Sequence, residues 1–270
     1  MRKVIAKVYL YLLLVIIYAP IAIILVFSFT NSKSIGQWKG FSFELYRSLL
    51  TGEAEHAATI SSAIVNTLLI AITAAAVSTI LGSIAAVGIH NMHGRWRNAI
   101  QFTNNIPMIN PDIITGISLF LLFVSLGVTC GYATVILAHI TFCTPYVILS
   151  VMPRLRQMNP NIYEAALDLG ATPAQAFRKV LIPEMRPGMI SGFILAFTLS
   201  IDDFAVSLFT KGSNGLETLS TYIYADARKG GLTPELRALV SIIFLAVLVL
   251  LIIINIRSAK MEQKGNQTKK

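Results

Sequence analysis

Three carboxylates stand where the chain is otherwise apolar. Asp112 closes the run Ile106-Pro107-Met108-Ile109-Asn110-Pro111-Asp112, and Asp202 and Asp203 sit together in Ser200-Ile201-Asp202-Asp203. Of the 13 acidic residues only these three fall within long apolar segments, and no lysine or arginine falls there to balance them. A charge facing lipid at the middle of a membrane helix costs about 2.5–3.5 kcal/mol on insertion scales, so such residues mark interior or water-filled paths. A cation that passes them would supply the missing positive charge. Each acid also has a structural reading. Asp112 stands in the first turn of a restarted helix, where the helix dipole favours a negative charge. Asp202 and Asp203 point about 100° apart on a helix, so one could line a path while the other pairs with a partner subunit. Trp38 could hold an amine by cation–π attraction or anchor the chain at a membrane interface. His139 reads sooner as an interhelical hydrogen-bond donor than as a ligand.

Residues of this kind need a membrane around them. The chain is 55% hydrophobic and 13% charged, with a mean hydropathy of +0.69, against about 25% charged in soluble domains. A membrane helix needs about 20 mostly apolar residues. Six candidate segments appear: Val8–Thr30, Ile60–Ile89, a broken stretch ending near Leu126, Tyr132–Val151, Gly188–Thr210 and Ala238–Ile256. The first is read as a retained span, because its apolar run is long for a signal peptide and no small-x-small cleavage site follows. With the N-terminus inside, 15 of the 22 basic residues fall on the cytoplasmic side. Both termini are therefore expected in the cytoplasm, which an even span number requires. The net charge of +9 thus reads as membrane orientation and not as a nucleic-acid surface. The expected fold class is an all-α membrane protein of six transmembrane helices, a single membrane domain over 1–270.

Local signals refine that picture. Ser78, Gly82 and Ala86 recur every fourth residue on one helical face, which lets helices approach closely in lipid. Pro107 and Pro111 interrupt the third segment, and broken backbone in a membrane is tolerated only inside protein or beside a cavity. Asn110 is the expected cap of the restarted helix, with Pro111 at its first position. Cys130 and Cys143 form no CxxC pair and read as small core residues. There is no HExxH, no GxSxG and no histidine cluster beyond His90 and His93 in a basic loop, so an intramembrane enzyme lacks its machinery. No catalytic residue, metal or cofactor is expected.

The longest cytoplasmic loop, 153–187, has its own punctuation. Asn159-Pro160 reads as a cap and first helical residue, and Gly170 as the residue that closes that helix. Thr172-Pro173-Ala174-Gln175 reads as a capping box with a first-turn proline, and Pro183 as the end of the second helix. Ile162, Ala165, Ala166 and Leu169 make an apolar stripe on the first helix, and Phe177, Val180 and Leu181 on the second. By physics alone this is either an amphipathic hairpin on the membrane surface or a docking element for a cytoplasmic partner.

Glu164-Ala165-Ala166, then Gly170, Val180 and Ile182-Pro183 resembles the EAA loop of ABC-importer permeases. Val180 and Ile182 depart conservatively from the isoleucine and leucine of that pattern. The resemblance assigns Glu164, Ala165, Ala166, Gly170 and Pro183 to coupling with a separate ATPase. Further stretches extend it over nearly the whole chain: Ser200-Ile201-Asp202-Asp203, Asn110-Pro111-Asp112, His139-Ile140-Thr141-Phe142-Cys143 and Trp38-Lys39-Gly40-Phe41. These resemble the spermidine/putrescine permease C component family. The likeness implies the MetI-like fold of type I importers in the bacterial inner membrane. It also implies a homologous second permease, a cytoplasmic ATPase dimer, an extracytoplasmic polyamine-binding protein and a polyamine substrate. The rivals are a permease for another small solute, such as an anion, which the three acids disfavour, and an ion-gradient-driven transporter. The latter are usually built from repeats with paired broken helices, and no internal repeat is evident.

No GxxxxGK[ST] phosphate loop occurs, and the dipeptide Gly-Lys is absent, so the chain cannot cradle a nucleotide in that manner. The purified subunit alone is expected to show no stoichiometric ATP binding by titration calorimetry and no hydrolysis. Saturable binding at one site per chain would contradict this reading.

Overall fold

A computed structural model describes residues 2–32, 36–53, 56–159 and 161–267, with side chains from 7 to 249 and at 252. Every regular element among the described residues is helical. The chain forms two compact units, 1–59 with 223–270, and 60–222.

The first unit holds α1 (Arg2–Phe27), α2 (Glu44–Thr51) and α12 (Pro234–Gln267). Its large apolar side chains, such as Tyr9, Val15 and Ile16 on α1, point outward, as on a helix whose solvent is lipid. The end of α1 is tied down by Arg237, from the first turn of α12. Nη1 of Arg237 donates to Phe27 O at 3.4 Å, and Nη2 donates to Ser32 O. Its side chain is fully buried, and a cation is favoured at unpaired carbonyls of a helix C-terminus. Past α1, Phe29 stacks on Phe41 with centroids 5.3 Å apart and meets Tyr46 at 5.2 Å.

The second unit contains α3 (Ala57–Asn91), α4 (Gly94–Ile109), α5 (Asp112–Ser125), α6 (Tyr132–Gln157), α7 (Asn161–Asp168), α8 (Pro173–Ala176), a π-helical turn Phe177–Leu181, α9 (Ile182–Asp202) and α10 (Ala205–Thr210). A further helix, α11 (Leu219–Ala227), leaves it. Small residues set how closely these helices approach. Ser78, Gly82 and Ala86 are all buried, and Ser78 Oγ donates to Ile140 O at 3.2 Å. A Cβ at Gly82 would lie 2.7 Å from Val147 Cγ1, and one at Gly192 would lie 3.1 Å from the same atom. Val147 of α6 is thus the knob that α3 and α9 close upon. Lipid gives no hydrophobic force between helices, so this van der Waals fit is what holds them.

Among the described residues four helices are long and apolar enough to cross a membrane, and the pair α4 and α5, bent by 107°, makes a fifth if it counts as one span. The sixth expected segment, Ala238–Ile256, lies in α12, where most side chains from 250 onward fall outside the described residues. Three local expectations are corrected. The restarted helix begins at Asp112 with Pro111, not Asn110, as its N-cap, and no side chain caps it. Pro111 keeps an extended ψ of 139°, so its own carbonyl is the first to accept, from Ile114 N at 3.0 Å and Thr115 N at 3.3 Å.

The second correction concerns Pro183, which ends no helix: the chain stays helical from Pro173 to Asp202. The wide turn Phe177–Leu181, in which Ile182 N bonds Phe177 O, makes room for a proline that would otherwise clash with the preceding turn. Third, the fifth expected span does not run unbroken to Thr210. α9 stops at Asp202, Asp203 is extended with ψ 131°, and α10 starts afresh.

The close approach at Gly82 generates a test. Gly82→Ala forces Val147 or the α6 backbone to move, and over-packing of this kind costs about 1–3 kcal/mol. The detergent-solubilised protein should melt at a lower temperature. Val147→Ala in the same chain should recover part of the loss, so that the double variant melts above the value the two single shifts add to. An unchanged Tm for Gly82→Ala would contradict the packing described.

Candidate functional site

The start of α5, the middle of α6 and the break between α9 and α10 surround a cavity of about 520 Å³. All three acids line it, together with Phe142, Tyr146 and Phe204. No lysine or arginine is among the lining residues. Asp112 and Asp202 are exposed to the cavity side, whereas Asp203 is buried. The aromatic lining was missed in the sequence. Phe142 and Tyr146 lie four residues apart on α6, hence on one helical face, and that spacing beside an acidic run was the available signal.

Asp203 uses its carboxylate locally. Oδ1 accepts from Val206 N at 3.1 Å and Oδ2 from Ser207 N at 2.8 Å, which satisfies donors that the first turn of α10 leaves unpaired. Its backbone carbonyl accepts from Ser220 Oγ at 2.7 Å. The same Oδ2 lies 3.4 Å from His139 Nε2. The fully buried ring of His139 also meets Ser200 Oγ through Nδ1 at 2.6 Å and Ser207 Oγ through Nε2 at 3.0 Å. By composition Ser200, His139 and Asp203 could suggest a hydrolytic triad. Ser200 is only 3% exposed and does not line the cavity, so no substrate carbonyl can reach it. The set is a structural network. His139 is indeed an interhelical hydrogen-bonding residue, and of the adjacent acids Asp202 is the one free to offer charge to the cavity. Trp38 belongs to the first unit, half exposed, with its ring edge-on to Phe27 at 6.3 Å.

Apart from Pro183, the punctuation of the segment 153–187 is realised in its fold. Asn159 Oδ1 accepts from Asn161 N at 3.0 Å; Pro160, the expected first helical residue, lies outside the described residues. Gly170 has φ +85°. Its N–H donates to Leu167 O at 2.9 Å, and Ala171 N donates to Ala166 O at 3.1 Å, the paired bonds of a Schellman ending. Thr172 and Gln175 form the reciprocal capping box at 3.0 and 3.3 Å. Tyr163 and Phe177 turn inward onto the core. Glu164, Ala165, Gly170 and Pro183 are exposed, with Ala166 half-buried, and Leu169 is 89% exposed. The expected apolar stripe is therefore divided: the face carrying Ile162, Ala165 and Leu169 is left outward, next to Glu164.

The chain belongs to the family of binding-protein-dependent transport system inner membrane components, whose profile matches residues 78–264. It is 41% identical over 239 residues to the putrescine transport system permease protein PotI of Escherichia coli strain K12, covering 86% of this chain and 82% of that protein. It is 35% identical over 237 residues to the spermidine/putrescine transport system permease protein PotC of Haemophilus influenzae, covering 88% and 90%. Among solved structures, a chain of a bacterial ABC transporter involved in the import of the acidic polysaccharide alginate superposes with a TM-score of 0.66 at 16% identity, over 95% of each chain. The MetNI methionine ABC transporter gives 0.58 at 20% identity, over 75% of this chain and 95% of that one. The fold is that of ABC-importer permeases, and the protein is a multi-pass transport subunit of the bacterial plasma membrane. Family membership sets aside the ion-gradient transporter.

Gly170 stands where a β-branched residue would pay about 1–2 kcal/mol for the left-handed conformation, in open space without a steric clash. Gly170→Val should therefore disturb the hairpin alone. Membrane insertion should be retained while association with the separate ATPase that the loop's resemblance implies, read by co-purification, falls several-fold. Normal association and normal uptake would remove this loop from the coupling role.

Proposed function

We propose that the chain is the pathway-forming permease subunit of an ABC importer for polyamines. The observation that carries this reading is the convergence of Asp112, Asp202 and Asp203 on one cavity without a lysine or arginine in its lining. A polyamine alternates ammonium groups with short methylene runs. The carboxylates suit the first, and Phe142, Leu199 and Ile113 in the same lining suit the second, with ring faces adding cation–π attraction. The names of the relatives PotI and PotC support the same substrate class. Trp38 is carried in this reading as a further aromatic contact for the cation.

The remaining parts follow the family. Both termini lie in the cytoplasm, and six spans cross the membrane. The outward face of α7, with Glu164, Ala165 and Ala166, docks in a separate ATPase dimer. A homologous second permease completes the pathway, and an extracytoplasmic binding protein captures the substrate.

Asp202→Asn removes a charge and keeps the volume. At matched complex levels in membrane vesicles it should slow polyamine uptake at least tenfold, with Asp202→Glu milder. Asp112→Asn should act in the same direction. The loss should lie in turnover and not in the half-saturating concentration, which the binding protein sets. Uptake at the normal rate in both asparagine variants would overturn the cation pathway assigned to this cavity.

A further inference from the structure

One buried ring reaches both sides of the break between α9 and α10. His139 projects from α6, a third helix. Its Nδ1 meets Ser200 Oγ, which lies two residues before the end of α9, at 2.6 Å. Its Nε2 meets Ser207 Oγ, inside α10, at 3.0 Å, and lies 3.4 Å from the Asp203 carboxylate, which accepts from the N–H groups of Val206 and Ser207 in the first turn of α10. The two nitrogens of an imidazole point apart in one rigid plane, so a single side chain can hold two backbone segments at a set separation. Around the ring the packing is closed: His139 is 1% exposed, Ser207 1% and Ser200 3%. Phe142 covers the ring with centroids 5.2 Å apart. Asp202 sits between the two anchored points, as the last residue of α9.

We propose that His139 is a positioning residue for translocation: it latches α9 to α10 across the break and thereby fixes where Asp202 presents its charge to the passing cation. The ring does not line the cavity and touches no substrate. Its effect on transport runs through Asp202. The inference rests on the proposed role of the acid cavity.

The test uses the whole transporter in vesicles at matched complex levels, with His139→Gln, Asp202→Asn and the double variant. Glutamine keeps a donor and an acceptor but cannot reach both helices at once. His139→Gln should lower the maximal uptake rate about tenfold and leave the half-saturating polyamine concentration unchanged. In the double variant the rate should fall no more than about twofold below Asp202→Asn alone, because the latch has no charge left to place. Ser207→Ala, which removes one anchor and keeps the packing, should give a smaller loss of the same kind, and it replaces His139→Gln in the cycle if that variant does not assemble. Slow uptake by Asp202→Asn with normal uptake by both His139→Gln and Ser207→Ala would overturn the latch and leave the cation pathway standing. Losses that multiply in the double variant would show a general structural role and would also overturn it. Normal uptake by Asp202→Asn removes the pathway and the latch together.

Discussion

A helix interrupted within an apolar segment exposes backbone donors that lipid cannot satisfy, and the second unit is organised around two such interruptions. At the first, Pro111 carries no N–H of its own, and its carbonyl serves as the first acceptor of α5. At the second, the carboxylate of Asp203 takes the N–H groups of Val206 and Ser207. Because α5 packs against α10, with Gly116 allowing Ala205 O and Val206 to come close, the two interruptions lie side by side. The acidic residues that accompany helix starts are thereby collected at one cavity.

This arrangement accounts for the different duties of two adjacent aspartates. Asp203 is held inward by its cap and by His139, so its charge is spent on the fold. Asp202, at the last turn of α9, has no such partner among the described residues and faces the cavity. Charge that faces the cavity and charge that holds the fold fall on adjacent residues, because helix α9 ends between them.

The helix that ends at Asp202 begins at Pro173, within the segment 153–187. At 1.5 Å per residue its 30 residues extend about 45 Å, the thickness of a bilayer with its headgroup regions included. The π-helical turn at Phe177–Leu181 keeps it continuous past Pro183. One helical element therefore joins the surface that carries the Glu164-Ala165-Ala166 stretch to the acid cavity. Val147, gripped by Gly82 and Gly192, packs that element against α6 and α3.

Much of this was legible in the chain itself. Apolar run lengths predicted the membrane helices, because lipid leaves the backbone little choice but a helix. Gly170 and the Thr172–Gln175 box marked the loop hairpin, because those features depend on residues a few positions apart. The acids stood out for the same reason, being costly wherever they are not used. What sequence could not supply was anything set by contacts between distant segments. The end of α9 at Asp202, the continuation through Pro183 and the burial of Arg237 all depend on which neighbour satisfies a freed backbone group. The same holds for the meeting of Asp112 with Asp202: periodicity places residues on faces of a helix, but only the packing of α5, α6 and α9 decides which faces share a cavity. Composition and spacing determined that this chain crosses a membrane with unpaired negative charge. Tertiary structure alone decided which of those charges holds the fold and which is left facing the cavity.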